Sequence, residues 1–238
     1  MTSAVTALPA AGPWRRAVVR EVRHPFPRAV VLRLDVADRT GHLPGQHVVV
    51  RLTAEDGYTA SRSYSIASAP SDPLLELFVE ELAEGEVSPY LAGAVEAGDE
   101  LEVRGPIGGW FVWDGRTPAV GIGGGSGVVP LVAMLRHGRD LGTSDRLRLA
   151  VAARTLATLP YAAELTAAGA VTALSREVSP TGRAAGRLNP AAIAPLVNPD
   201  ATYFICGSAA FAAGASDLLT GLGVDPASVR VERFGASG

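Results

Sequence analysis

Between Ala17 and Val103 the chain runs in short segments in which apolar residues dominate or alternate with polar ones, separated by turns rich in Gly and Pro. Ala17 to Val22, Ala29 to Asp35, His47 to Leu52, Ser63 to Ser68, Leu74 to Glu81 and Glu100 to Val103 read as β-strands. Stretches such as L-P-G-Q-H and R-G-P-I-G-G read as turns. Short strands spaced by turn signals predict a small antiparallel barrel. The pattern changes at W-D-G-R-T-P, residues 113 to 118. Beyond it, candidate strands at Ala119 to Gly123, Arg148 to Ala153, Val171 to Ser175, Tyr203 to Cys206 and Val229 to Glu232 alternate with helices. Those helices fall near Val129 to Arg139, Tyr161 to Ala168, Pro190 to Leu196 and Ala209 to Leu222. Such alternation predicts a doubly wound, five-stranded parallel sheet with helices on both faces. The expected organisation is a flexible tail over residues 1–13, a β-barrel domain over 14–113, a linker over 114–118 and an α/β domain over 119–238.

Composition agrees with two cores. A chain of 238 residues suits two domains of about 100 to 150 residues, and 47% hydrophobic against 19% charged residues excludes a disordered chain. A net charge of -3 gives no general attraction to nucleic acid or anionic membrane, so neither is an expected partner. Cys206 is the one cysteine, which rules out an intramolecular disulfide, a four-cysteine zinc site and a cysteine-ligated iron-sulfur cluster. His24, His42, His47 and His137 lack metal-ligand spacing, and no metal is expected. The first residues have no basic, apolar leader pattern, and no run approaches about 18 apolar residues. A cytoplasmic protein without membrane insertion is expected.

Three stretches carry candidate chemistry. R-S-Y-S-I-A-S, from Arg62 to Ser68, places a guanidinium, a phenol and hydroxyls on one strand. Alternation puts Arg62 and Tyr64 on one face and Ser63 and Ser65 on the other. An arginine fork suits phosphate, and a tyrosine offers a flat apolar plate with a polar tip. V-S-P at Val87 to Pro89 reads as a helix start with Ser88 as N-cap and Pro89 as the first helical residue, a second phosphate-suited end. G-G-G-S-G, from Gly123 to Gly127, lies at a strand-to-helix junction, where glycines let backbone N–H groups approach a pyrophosphate. The strict dinucleotide and triphosphate fingerprints are absent. The second strand of this half ends in Arg154 instead of the acid that commonly holds an NAD ribose.

In order along the chain stand P-G-Q-H (Pro44 to His47), R-S-Y-S (Arg62 to Ser65), G-E-V-S-P-Y-L (Gly85 to Leu91) and G-P-I-G (Gly105 to Gly108). They are followed by G-G-G-S-G-V-V-P (Gly123 to Pro130), S-R-E (Ser175 to Glu177), I-C-G-S (Ile205 to Ser208) and E-R-F (Glu232 to Phe234). From Trp14 to Phe234 the chain thereby resembles the ferredoxin-NADP reductase family of flavin oxidoreductases. The resemblance implies FAD, with FMN as the alternative, contacted by Arg62, Ser63, Tyr64, Ser65, Val87, Ser88 and Phe234. Arg62 would meet the pyrophosphate, Tyr64 the isoalloxazine and Ser65 the flavin N5 region. It implies a nicotinamide nucleotide on Gly123, Gly124, Gly125, Ser126, Gly127, Arg154, Ser175, Arg176, Arg187, Cys206 and Gly207, with Arg183 competing with Arg187. These arginines favour NADPH, with NADH as the alternative, and the family's Lys-x-Tyr adenine platform has no counterpart after Arg183. Ser65, Cys206 and Glu232 are the implied catalytic group, Cys206 positioning the nicotinamide without covalent chemistry; Glu232 and Phe234 would otherwise close the sheet edge. The chain lacks the four spaced cysteines of relatives with a fused iron-sulfur domain and ends four residues past Phe234. Electrons are therefore expected to leave to a separate ferredoxin-like or haem protein. The competing expectations are an NADH-dependent free-flavin reductase and a non-enzymatic dinucleotide sensor.

Overall fold

The computed structural model of the chain describes residues 12–234; the tail expected over residues 1–13 lies, through residue 11, outside the described residues. The first domain holds β1 (Arg15–Arg23), β2 (Ala29–Val36), β3 (His47–Thr53), β4 (Thr59–Ser65), β5 (Leu75–Glu80) and β6 (Glu100–Ile107), with α1 (Ser88–Gly93) between β5 and β6. The strands form one antiparallel sheet in the order β4-β3-β6-β1-β2-β5. An Ile66–Leu77 bridge draws its two edges together. Val19, Leu32, Leu34, Val48, Val50, Leu77 and Val103 fill the interior. In β3 the burial alternates, so that Val48 and Val50 point inward, as a sheet with one wet face requires. β5 is buried on both faces up to Glu80, because Phe78, with Ala29 and Val31 of β2, also packs against Val129 of the second domain.

Three local expectations are corrected. The strand placed at Ser63 to Ser68 starts at Thr59 and stops at Ser65, because it pairs with β3 from Thr53↔Thr59 to His47↔Ser65. The polar run T-A-S-R-S is held there by backbone pairing at the edge of the sheet, where no apolar alternation is needed. R-G-P-I does not leave the sheet: β6 continues to Ile107, with a register shift against β3 between His47 and Val49. Ser88 is not the N-cap of α1. Val87 occupies that position, Ser88 opens the helix, and the Ser88 Oγ accepts the Leu82 N–H at 3.0 Å, tying down the preceding loop.

The second domain contains β7 (Ala119–Gly124), α2 (Val129–Leu141), β8 (Leu147–Ala153), α3 (Ala162–Ala167), β9 (Val171–Leu174), α4 (Pro190–Ile193), β10 (Thr202–Ser208), α5 (Ala209–Gly221) and β11 (Val229–Phe234). Its sheet is parallel in the order β11-β10-β7-β8-β9. Leu131, Met134, Leu149, Val151, Leu165 and Phe204 build the core on one face. Ile122, Ile193, Tyr203, Ile205, Ala212 and Leu219 build it on the other. Phe111 and Trp113, which precede the second sheet, bury their rings in the first of these cores, and Phe111 meets Phe204 edge-on at 5.2 Å. Among the described residues no helix is long and apolar enough to cross a membrane, and no group of three His, Cys, Asp or Glu could hold a metal ion.

Candidate active site

β4 carries Arg62, Ser63, Tyr64 and Ser65 along the edge of the barrel sheet. The Tyr64 hydroxyl and the Ser65 Oγ are both buried and have no hydrogen-bond partner among the described residues. Buried polar atoms are nearly always paired, and leaving one unpaired costs about 1 to 3 kcal/mol. Two unpartnered hydroxyls on the last two residues of β4, one on each face of the strand, suit a ligand with polar atoms seated at the strand's end, such as a flavin. Burial pushes the Tyr64 phenol up to about 12, against the opposing charge of Arg62, so it remains a neutral donor. Arg62 is half exposed and pairs at 3.5 Å with Glu86, which also accepts the Tyr58 hydroxyl at 2.6 Å. His47, opposite Ser65, is held below its usual value by burial and stays neutral.

The second half of the site forms where the parallel strand order reverses, between β7 and β10, the crevice at which open α/β sheets bind ligands. β7 runs straight into a short 3-10 turn at Gly125–Val128, and α2 follows at Val129. A side chain at Gly127 would lie 2.2 Å from the Cys206 carbonyl oxygen, so packing requires this glycine. Gly125 differs: its φ of +56° favours glycine and the space beside it is open, which leaves it free to meet a ligand. Register sets Gly123, Cys206 and Glu232 side by side on β7, β10 and β11. Burial raises the Cys206 thiol well above its usual value, with Glu232 adding to the effect. That fits a packing or positioning thiol and not a nucleophile. Phe234 pairs with Ser208 and packs partly buried against the core.

Farther along the same edge, Ser175 N–H donates to the Ala153 carbonyl and Arg176 N–H to that of Arg154, each at 3.0 Å, while Gly186 N–H reaches the Leu174 carbonyl at 2.8 Å. Arg154, Ser175, Arg176 and Arg187 are thereby gathered at the C-terminal ends of β8 and β9. The guanidiniums of Arg154, Arg176 and Arg187 are exposed and make no hydrogen bond or ion pair among the described residues. Arg183 differs, since its Nη2 donates to the Arg187 carbonyl at 2.8 Å and so shapes the loop. The free guanidinium of the two is therefore that of Arg187.

Residues 25–112 match the family model of the oxidoreductase FAD-binding domain. A flavohemoprotein of Chromobacterium violaceum is 33% identical over 213 residues, covering 81% of this chain and 53% of that protein. The ferredoxin–NAD(P)+ reductase component of the naphthalene 1,2-dioxygenase/salicylate 5-hydroxylase systems of a Ralstonia species is 26% identical over 217 residues, 87% of this chain and 65% of that protein. The crystal structure of the flavohem-like FAD/NAD-binding domain of nitric oxide dioxygenase from Vibrio cholerae superposes with a TM-score of 0.79 at 25% identity, covering 93% of this chain and 98% of that one. The chain is similar over most of its length to ferredoxin-NADP reductase-like proteins, and its residues 25–112 form an oxidoreductase FAD-binding domain. It spans less than two thirds of the length of these two curated relatives.

Several side chains that shape the site escape a reading by motif. Glu86 pairs with Arg62 and is itself held by the Tyr58 hydroxyl, and Glu177 accepts the Leu156 N–H at 2.6 Å, fixing the loop after β8. Glu76, a single acid within the apolar run L-L-E-L-F-V, is only 4% exposed; its place in that run was the one visible signal.

Glu232 supplies a prediction for the ligand-free protein. Burial pushes its carboxyl up to about 7 from 4.5, so between those values the folded chain binds a proton that the unfolded chain releases. Stability from the neutral acid is present below about 4.5 and is lost as pH rises through about 7. Urea unfolding at pH 5.5 and 8 should show a smaller pH dependence in Glu232→Gln than in the unsubstituted protein. An equal dependence would mean that Glu232 titrates normally.

Proposed function

We propose that the chain is an NAD(P)H-dependent flavoprotein reductase that holds FAD against β4, takes NADPH in preference to NADH at the parallel sheet, and delivers electrons to a separate ferredoxin-like or haem protein. The observation that carries this reading is the pair of unpartnered buried hydroxyls on Tyr64 and Ser65. They lie just before Ala67, which packs with Val129 at the end of the glycine turn and so brings the two halves together. When bound, FAD supplies hydride acceptance from the nicotinamide and onward electron delivery. Arg62 would leave Glu86 to hold the pyrophosphate, Ser63 would line the same strand, and the α1 start at Val87 and Ser88 would face the phosphates. Tyr64 and Ser65 would orient the ring system. Gly123 to Gly127 and Gly207 would admit the nicotinamide nucleotide, and Cys206, Glu232 and Phe234 would pack beside its reactive end. No strong acid or base is required, because the chain's part is alignment and exclusion of water. The naming of the Ralstonia relative as a reductase component supports a separate acceptor.

Visible absorbance of the purified protein, with and without added FAD, is the direct test, followed by turnover with NADPH. Retained flavin, rapid ferricyanide reduction and slow oxygen consumption are expected, with a partner protein accelerating turnover in a salt-sensitive way. Oxygen uptake equal to the full NADPH turnover would make the protein an oxidase. Release of reduced flavin would make it a free-flavin reductase, and nucleotide binding without flavin uptake a sensor.

A further inference from the structure

Glu76 lies at the joint between the two domains. Its Oε1 accepts from Arg136 Nη1 of α2 at 2.8 Å and from the Tyr161 hydroxyl at 2.9 Å. Its Oε2 takes Arg23 Nη2 of β1 at 3.3 Å and lies 4.0 Å from Arg33 Nε of β2. Arg136 is itself shared: Nη1 also donates to the Ala67 carbonyl at 3.0 Å, and Nε and Nη2 grip Glu164 of α3 at 3.1 and 2.6 Å. Tyr161, the N-cap of α3, takes a left-handed backbone with φ of +56°, uncommon for a bulky residue. Strain of this kind persists only where surrounding contacts hold it. Here the ring sits 5.0 Å from the Arg136 guanidinium carbon and 6.1 Å from the Phe78 ring, with its hydroxyl on Glu76.

Each partner of Glu76 leads to a part of the proposed site. The Glu76 carbonyl accepts the Ala67 N–H at 2.8 Å, and its own N–H donates to the Ser68 Oγ at 3.0 Å, so it grips the chain just past Ser65. Arg136 rides on the helix that begins where the glycine turn ends. Tyr161 and Glu164 follow the strand that ends beside Arg154. The apolar contacts of Val129 with Ala29, Val31, Ala67 and Phe78 are non-directional and would tolerate sliding. A buried carboxylate whose donors arrive from both domains would not, since its desolvation is offset only in good geometry.

We infer that Glu76, with Arg136 and Tyr161, is a positioning residue that sets the spacing between R-S-Y-S and the glycine turn, and thereby the alignment for hydride transfer. This rests on the function proposed above. Glu76→Gln removes the charge at constant shape, and Tyr161→Phe removes one hydroxyl from a residue that stays in place. Spin labels at Glu55→Cys and Asp217→Cys, both exposed, report the separation of the domains in ligand-free protein, while the buried Cys206 stays unlabelled. Both variants are expected to broaden the label distance distribution. They should keep FAD and NADP+ affinity within about twofold, yet slow flavin reduction at saturating NADPH by about 10- to 100-fold, the loss expected from a displacement of about 1 Å. An unchanged distance distribution in both variants overturns the inference, and so does a broadened one with an unchanged reduction rate. If the unsubstituted chain takes up no flavin, the functional reading fails, while the label distances still decide whether Glu76 holds the domains in place.

Discussion

Arg62→Ala should leave a folded protein that no longer retains flavin. The side chain is half exposed and its ion pair with Glu86 is long at 3.5 Å, so removing it should change stability by no more than about 0.5 kcal/mol. Its loss to a bound pyrophosphate is of another size. A guanidinium fork making two charge-assisted hydrogen bonds contributes about 1.5 to 3 kcal/mol for each. Displacing Glu86 offsets at most about 1 kcal/mol of that. The net loss of about 2 to 5 kcal/mol should therefore lower FAD affinity roughly 30- to 4,000-fold, at about 1.4 kcal/mol per tenfold. Equilibrium dialysis against FAD, beside urea unfolding of the flavin-free protein, separates the two effects. Glu86→Gln should move affinity the other way by a few-fold, since it frees Arg62 and removes a negative charge close to the phosphates. Equal flavin retention by Arg62→Ala and the unsubstituted chain would take Arg62 out of the site.

Replacing Arg176 with Ala should raise KM for NADPH by about 10- to 100-fold and leave KM for NADH nearly unchanged. One charge-assisted contact to a 2'-phosphate is worth about 1.5 to 3 kcal/mol, and NADH has no such group. The structural ground is that Arg154, Arg176 and Arg187 make no ion pair among the described residues although the chain is net acidic. Three unpaired like charges at one sheet edge repel one another, and an anion relieves that repulsion. Arg187→Ala should act in the same direction. Arg183→Ala should act in the same direction but more weakly, because that side chain only braces the Arg187 carbonyl. Identical losses for NADPH and NADH in Arg176→Ala would refute the 2'-phosphate assignment.

What the sequence determined by itself is the part governed by short-range physics. Strand alternation and turn residues were enough for an antiparallel first half, and the strand-helix rhythm after Pro118 was enough for a parallel second half. R-S-Y-S and G-G-G-S-G stand out as candidates because residue types suited to phosphate and to an aromatic ring lie within a few positions of each other. The failures were also local in appearance but tertiary in cause. Ser88 looks like a helix cap, yet its Oγ is taken by Leu82 N–H, which a folded loop delivers. The polar start of β4 looks like a loop, yet backbone pairing to β3 holds it as a strand. Gly123 to Gly127 look alike in sequence, and only their neighbours show Gly127 closing against Cys206 while Gly125 faces open space. Glu76 shows most clearly what tertiary structure alone decides. Its partners Arg23, Arg33, Arg136 and Tyr161 lie as much as 85 positions away. A buried charge is tolerable only where such donors converge, and convergence from β1, β2, α2 and the approach to α3 exists only once the two domains have docked.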